Sequence, residues 1–273
     1  MIISCSPLPH CGVNGGSTYN TTRERPPDAR RFCKRFRLPP CRPPCVKVLL
    51  LDCDGVLADT ELLSCSAVAD AFTAAGAPVT PHEALRIFTG CDRTFLRGWL
   101  AEHGVADAAA ALAHKDRLTY KRIGAAFSPD PELIGFLEGL RRDGIRWCVT
   151  SNSLHRRLSL TLGRLGVLEL TGEAQVFSAE DVARGKPAPD LHLLACRRMG
   201  VAPEEALVVD DSVSGIRGAR AADIRAVGFV RYAHDREAAA AALRAAGAFA
   251  VVTSLEEVGT IARTLPTDGG TRG

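Results

Sequence analysis

The sequence predicts an α/β protein, a Rossmann-like doubly wound parallel sheet core with an inserted all-α cap domain. Three observations predict it. Short apolar runs of strand length alternate with segments of helical periodicity. The runs stop abruptly at acidic or hydroxyl residues. One stretch, residues 61–130, is helical in pattern throughout and holds no convincing strand.

The first run is Val46–Leu51 (VKVLLL), followed at once by Asp-Cys-Asp-Gly. A run that short and that apolar fits a buried parallel strand. Ile145–Thr150 (IRWCVT) is the second and leads into Ser-Asn-Ser. Gln175–Ser178 is a weaker third. Ala206–Val209 (ALVV) leads into Asp-Asp-Ser, and Arg225–Phe229 and Phe249–Val252 complete the set. Helical patterns lie between them at 131–142, 154–165, 188–199, 213–222, 236–246 and 254–264. Parallel neighbours need such crossovers. After the first strand, helical patterns at 62–75, 81–88, 92–103 and 105–124 are separated by Gly76-Ala77-Pro78, Gly90 and Gly104. An insertion at the C-terminal end of a strand lies over the place where α/β sheets bind ligands. Residues 61–130 are therefore read as a cap on a core formed by 46–60 and 131–264.

The 273 residues are 46% hydrophobic and 24% charged, enough to bury a core. The net charge of +3 hides an asymmetry. Residues 1–45 hold eight Lys/Arg against Glu24 and Asp28, which leaves the body at −3. A nucleic-acid partner is not expected of a mildly acidic body. No apolar run of about 18 residues exists, so no membrane span is expected. Residues 1–45 also carry eight of the 16 prolines and five of the ten cysteines. They read as a basic, Pro/Cys-rich disordered tail, with a transit peptide or a zinc site at Cys41 and Cys45 as alternatives. Residues 265–273 read as a flexible C-terminus. The other cysteines (Cys53, Cys65, Cys91, Cys148, Cys196) are scattered singly, which suits a reducing, cytoplasmic compartment.

The chemistry lies at the strand ends. Asp52 and Asp54 form Asp-x-Asp-Gly after the first strand; in extended geometry residues i and i+2 point the same way. One carboxylate of such a pair can coordinate Mg²⁺ and act as nucleophile, while the other serves as acid/base. Gly55 lets the chain turn past the site. Asp210 and Asp211 follow the fourth strand; adjacent acids repel unless a cation relieves them, although Asp211 or Ser212 also suits a helix N-cap. Lys186 sits in the stiff Gly-Lys-Pro-Ala-Pro-Asp loop, where Asp190 can cap the next helix. A fixed cation there offsets phosphate charge. Ser151 and Asn152 precede a helix start, where hydroxyl and backbone N–H groups suit phosphate oxygens or simply cap the helix.

The four pieces read LLLDCDGVLADTE (49–61), CVTSNS (148–153), GKPAPDLH (185–192) and VVDDSVSGIRGARAA (208–222). Together they resemble the haloacid dehalogenase superfamily of phosphohydrolases over about residues 46–262. The helical insertion is similar to the cap of the subgroup with phosphoglycolate phosphatase, β-phosphoglucomutase and many sugar-phosphate phosphatases. The resemblance implies that Asp52 attacks the phosphoryl group and forms an aspartyl-phosphate. It implies that Asp54 protonates the leaving oxygen and then activates water. Mg²⁺ would be held by Asp52, the Asp54 carbonyl and Asp211, with Asp210 as ligand or acting through water. Ser151 (or Thr150, if the motif slips by one), the Asn152 backbone and Lys186 would hold phosphoryl oxygens. Family mutases carry a histidine twelve residues after the nucleophile, where this chain has Ser64. Gly90-Cys91-Asp92-Arg93 resembles the mutases' Gly-x-x-Arg, so Arg93 is a candidate contact for an anionic part of the substrate, or else a helix-surface arginine. Trp99 reads as a packing residue that could also line the pocket; Asp59-Thr60-Glu61 marks the hinge to the cap, from which Glu61 could reach the site. The expected function is a Mg²⁺-dependent phosphatase of a small phosphorylated metabolite, a sugar or polyol phosphate. The alternatives are a phosphosugar mutase and a catalytically silent relative.

Overall fold

The computed structural model describes residues 46–91, 93–172 and 175–265. The expectations for residues 1–45, for Asp92 and for 266–273 fall outside the described residues. Six strands form one parallel sheet: β1 (Val48–Leu51), β2 (Arg146–Ser151), β3 (Val176–Ser178), β4 (Ala206–Asp210), β5 (Arg225–Phe229) and β6 (Ala250–Val252). Their order is β3-β2-β1-β4-β5-β6. The chain builds outward from β1 through β2 to β3, then returns to lay β4 against the other side of β1. The carboxyl ends of β1 and β4 therefore meet where the winding reverses, the place where such sheets bind ligands.

The strands pair because they are apolar on both faces. Leu49, Leu51, Trp147, Val149, Leu207 and Val209 point into one buried layer, which is covered by helices α5 (Pro131–Arg142), α6 (His155–Arg164) and α11 (Leu255–Thr264). Val48, Leu50, Cys148, Ala206 and Val208 point into the other, covered by α8 (Asp190–Met199), α9 (Val213–Ala221) and α10 (Arg236–Ala246). This alternation is the two-residue period of a strand. A four-residue helix, α7 (Leu168–Thr171), follows α6 and was not legible as a separate element.

Among the described residues four helices fill the insertion: α1 (Glu61–Ala74), α2 (Pro81–Phe88), α3 (Arg93–Glu102) and α4 (Ala108–Ala126). Local chemistry sets their starts. Thr80 and Glu83 form a capping box ahead of α2, with Pro81 at its first position. The Asp107 carboxylate accepts the Ala110 N–H at 2.8 Å to start α4. These helices share a hydrophobic cluster of their own, which includes Phe72, Phe88, Leu96, Leu100 and Leu112.

Two expectations need correction. Asp190 does not cap α8: Pro189 occupies the N-cap position, and the Asp190 carboxylate, one residue inside the helix, accepts from Arg184 at 3.0 Å. Leu265 does not begin a flexible tail. It is buried against the first layer, and its N–H donates to the Ile261 carbonyl at 2.9 Å.

Leu50 is fully buried in the central strand. Leu50→Ala should lower the unfolding free energy by about 2–5 kcal/mol through lost burial and a residual cavity. Urea denaturation followed by circular dichroism measures it.

Candidate active site

Asp52 is the first residue past β1, and its N–H donates to the Val209 carbonyl of β4 at 2.9 Å. That bond fixes it beside Asp210, the last residue of β4. Between the two carboxylates lies the Lys186 ammonium. It donates to Asp52 Oδ1 at 2.7 Å, to Asp210 Oδ2 at 2.6 Å and to the Thr150 carbonyl at 2.7 Å. All three side chains are buried. Burial alone would lower the Lys186 pKa, but the Asp210 and Asp52 charges outweigh it and hold the ammonium above the usual lysine range. Burial pushes the Asp52 carboxyl up to about 7; Lys186 opposes the shift, while Asp210 and Asp54 add to it.

The loop that delivers Lys186 is fixed by Asn152. Its side-chain amide donates to the Lys186 carbonyl at 2.9 Å and accepts from the Lys186 N–H at 2.8 Å. A Cβ on Gly185 would lie 2.5 Å from the Asn152 Oδ1, so the chain approaches this clamp only as glycine. The Asn152 side chain thus has a positioning task that the sequence did not reveal. Ser151 ends β2, is buried, and accepts the Ser153 N–H on its hydroxyl at 3.2 Å. Thr150, its neighbour in the strand, meets the site through its carbonyl.

Asp54 has a different environment. Its Oδ1 accepts from Arg157 Nη2 at 2.8 Å and from the Thr60 hydroxyl, and its Oδ2 accepts from the Ser153 hydroxyl at 2.6 Å. Burial would raise its pKa, but the Arg157 charge and these hydrogen bonds outweigh burial and hold the carboxyl below the usual range. The pKa values of the two carboxylates of Asp-Cys-Asp are thereby pushed apart.

Asp211 opens onto the cleft beside them. Its carboxyl is pushed well up, first by enclosure and then by repulsion from Asp210, Asp52, Glu61 and Asp54. A carboxylate oxygen from each of Asp52, Asp210 and Asp211 lies within 4.8 Å of the others. Hard oxygen donors crowded in this way fit a hard divalent cation such as Mg²⁺. The Asp210 oxygens are already occupied, Oδ2 by Lys186 and Oδ1 by the Ser212 N–H and hydroxyl at 2.9 and 2.7 Å. Ser212, rather than Asp211, caps α9, which leaves the Asp211 carboxylate open to the cleft. Gly55, at φ +80°, passes so close that a Cβ would lie 1.8 Å from Asp211 Oδ2.

A cleft of about 770 Å³ opens over these groups, lined by core residues and by α1, α2, α3 and α4 of the insertion. Arg93 lines it from the start of α3, paired with Asp116 at 2.7 Å; Lys115, also on the wall, meets Asp116 at 3.2 Å. Glu61 lines it too. Trp99 is absent from the described lining. It packs inside the insertion, stacked on Phe72 with ring centroids 5.5 Å apart. The structure therefore brings Asp52, Asp54, Asn152, Lys186, Arg93 and Asp211 to one cleft, with Asp210 directly beneath it. Sequence reading missed Arg157, Ser153, Lys115 and Asp116. Thr60 was read only as part of the hinge to the insertion, and its bond to Asp54 was not foreseen.

Comparison with known proteins gives the class. Residues 46–223 match the haloacid dehalogenase-like hydrolases. The chain is 28% identical to 6-phosphogluconate phosphatase of Escherichia coli K12, covering 70% of this chain and 86% of that one. It is 34% identical to hexitol phosphatase A of the same organism (64% and 79%). It is 29% identical to a beta-phosphoglucomutase of Mycobacterium bovis (78% and 91%). Among solved structures, a haloacid dehalogenase-like protein of Agrobacterium tumefaciens superposes with a TM-score of 0.67 at 30% identity, covering 79% of this chain and 97% of that one. The chain belongs to the haloacid dehalogenase-like hydrolase family. Its enzyme class is that of a phosphoric monoester hydrolase, and it fits the subgroup its motifs resemble.

Lys186→Met removes the cation from two buried carboxylates. The variant should lose about 3–5 kcal/mol of stability at neutral pH, because each carboxylate keeps its desolvation cost without its partner. Chemical denaturation of the two proteins side by side measures the difference.

Proposed function

We propose that this enzyme hydrolyses a small phosphomonoester of the sugar or polyol phosphate class, with Mg²⁺, through an aspartyl-phosphate on Asp52. The observation that carries the reading is the contrast between Asp52, paired with Lys186, and Asp54, held by Arg157, Thr60 and Ser153, at the floor of one cleft. Two carboxylates in unlike environments are suited to unlike tasks.

In the first step an Asp52 oxygen bonds to phosphorus as the phosphorus–ester oxygen bond breaks, and Asp54, which must first take up a proton against its Arg157 pairing, gives that proton to the departing oxygen. In the second step a water oxygen attacks the same phosphorus while Asp54 takes a water proton. The bond from phosphorus to Asp52 breaks, which returns the Asp52 carboxylate and releases inorganic phosphate. Ser151 and the Asn152 backbone are assigned to the phosphoryl oxygens. Lys186 acts chiefly through Asp52, since its three donors are engaged. Asp52, Asp211 and the Asp54 carbonyl would hold Mg²⁺, with Asp210 acting indirectly because its oxygens are occupied. Bound there, the ion supplies charge neutralisation for phosphoryl transfer.

Residues 61–130 serve as a cap that keeps the substrate small and excludes water before the first step. Arg93 and Lys115 meet the part of the substrate away from the phosphate. Cys53, Cys65, Cys148 and Cys196 are buried thiols that form no disulfide among the described residues, which supports a reducing, cytoplasmic setting. No described helix is long and apolar enough to cross a membrane. The relative named beta-phosphoglucomutase favours a second reading, transfer between positions of one sugar. Ser64 weighs against it. The residue has no imidazole, and its hydroxyl accepts from Arg157 at 3.2 Å.

A panel of glucose 6-phosphate, 6-phosphogluconate, sorbitol 6-phosphate and glycerol 3-phosphate tests the reading by phosphate release. Release should require Mg²⁺, stop with EDTA, and vanish in Asp52→Asn with the fold intact. Phosphate migration between sugar carbons without release would favour the mutase. Asp211→Asn should weaken Mg²⁺ binding by roughly tenfold or more, read by titration calorimetry.

A further inference from the structure

Arg157 lies on the first turn of α6, and its side chain is only 20% exposed. Its Nη2 meets three acceptors from three places: Asp54 Oδ1 at 2.8 Å, the Thr60 hydroxyl at 3.2 Å and the Ser64 hydroxyl at 3.2 Å. Asp54 belongs to the loop after β1, Thr60 is the residue before α1, and Ser64 lies in the first turn of α1. Ser153, from the segment that leads into α6, holds the other Asp54 oxygen. The orientation of the Asp54 carboxylate is thus set from α6 and its approach, through the same guanidinium that touches the entry to the insertion. Arg156, the next residue back, lies 4.9 Å over the ring of Tyr120 on α4, so this turn contacts the insertion at a second point. All three acceptors converge on this one nitrogen, whose two hydrogens they share.

We infer that Arg157 is a positioning residue that aims Asp54 at the leaving oxygen and ties that aim to the seating of the helical insertion. The inference rests on the proposed acid/base role of Asp54. Arg157 acts through the carboxylate, to which its Nη2 is bonded. Its loss should therefore be felt in proportion to how much the leaving group needs a proton. An alkyl phosphate leaves as a poor alkoxide and needs one. A p-nitrophenyl phosphate leaves as a stable phenolate and needs little help.

The test compares wild type, Arg157→Ala, Arg157→Lys and Asp54→Asn on two probes: the alkyl phosphate released fastest in the panel above, and p-nitrophenyl phosphate. Arg157→Ala should lower kcat/KM on the alkyl ester, which reports the step in which the ester oxygen leaves and not the later hydrolysis common to both esters, by about a hundredfold, on the scale of general acid catalysis. On the aryl ester the loss should be several times smaller. Arg157→Lys should recover part of the alkyl activity, and Asp54→Asn should show the same asymmetry more strongly. Equal losses on both esters in Arg157→Ala, with the asymmetry kept in Asp54→Asn, would overturn the inference and leave Arg157 a packing residue. If Asp54→Asn itself shows no asymmetry, the acid/base reading fails and the inference falls with it. Should Arg157→Ala fail to fold by circular dichroism, Arg157→Gln is judged by the same criterion.

Discussion

The Lys186 ammonium, held between Asp52 and Asp210 where β1 and β4 end, is the interaction on which the rest of the site depends. It is a poor source of stability. Three buried charged groups cost several kcal/mol each to desolvate, and an apolar trio of the same size would serve the fold as well. The two hydrophobic layers on either side of the sheet carry stability instead. What the triad supplies is a carboxylate kept in a dry setting beside a fixed positive charge. Asn152 and the close approach at Gly185 hold the lysine loop in place, and Ser212 holds the far side of Asp210. Each of these contacts makes sense as support for one oxygen atom of Asp52.

A second consequence is division of labour. Asp52 and Asp54 are two residues apart and would share one environment in a simple strand end. The turn at Gly55 and the arrival of Arg157 separate them electrically. One carboxyl is pushed up by burial and the other is held down by a guanidinium and two hydroxyls. Asp211 remains open at the cleft with excess negative charge around it, which a hard cation relieves. The phosphatase chemistry is thus distributed over four strand ends and loops, brought together by the reversal of winding between β1 and β4.

Much of this was legible in the sequence, for identifiable reasons. Strands buried on both faces read as unbroken apolar runs, and Arg225–Phe229 is a strand from end to end. Helix starts at Pro81, Pro131 and Arg236 follow from capping residues just before them. Asp52, Lys186 and Asp211 could be singled out because charged residues at strand ends and in stiff loops have few structural reasons to be there. Arg157 could not, since it lies 103 residues from the carboxylate it holds and reads as one more basic residue on a helix. The same limit applied to Asn152, whose side chain meets Lys186 only through the crossover geometry of β2. Asp190 was misread because a proline took the cap position, and Leu265 because one apolar residue at a chain end carries no periodicity.

The central claim is that the phosphoryl group passes through Asp52. The most direct measurement is rapid acid quench of the enzyme during turnover of a ³²P-labelled sugar phosphate, followed by peptide mapping. A hydroxylamine-sensitive label on the peptide that carries Asp52, absent from Asp52→Asn, is the predicted result. A fully active enzyme that never acquires label, or carries it on another residue, would contradict the claim.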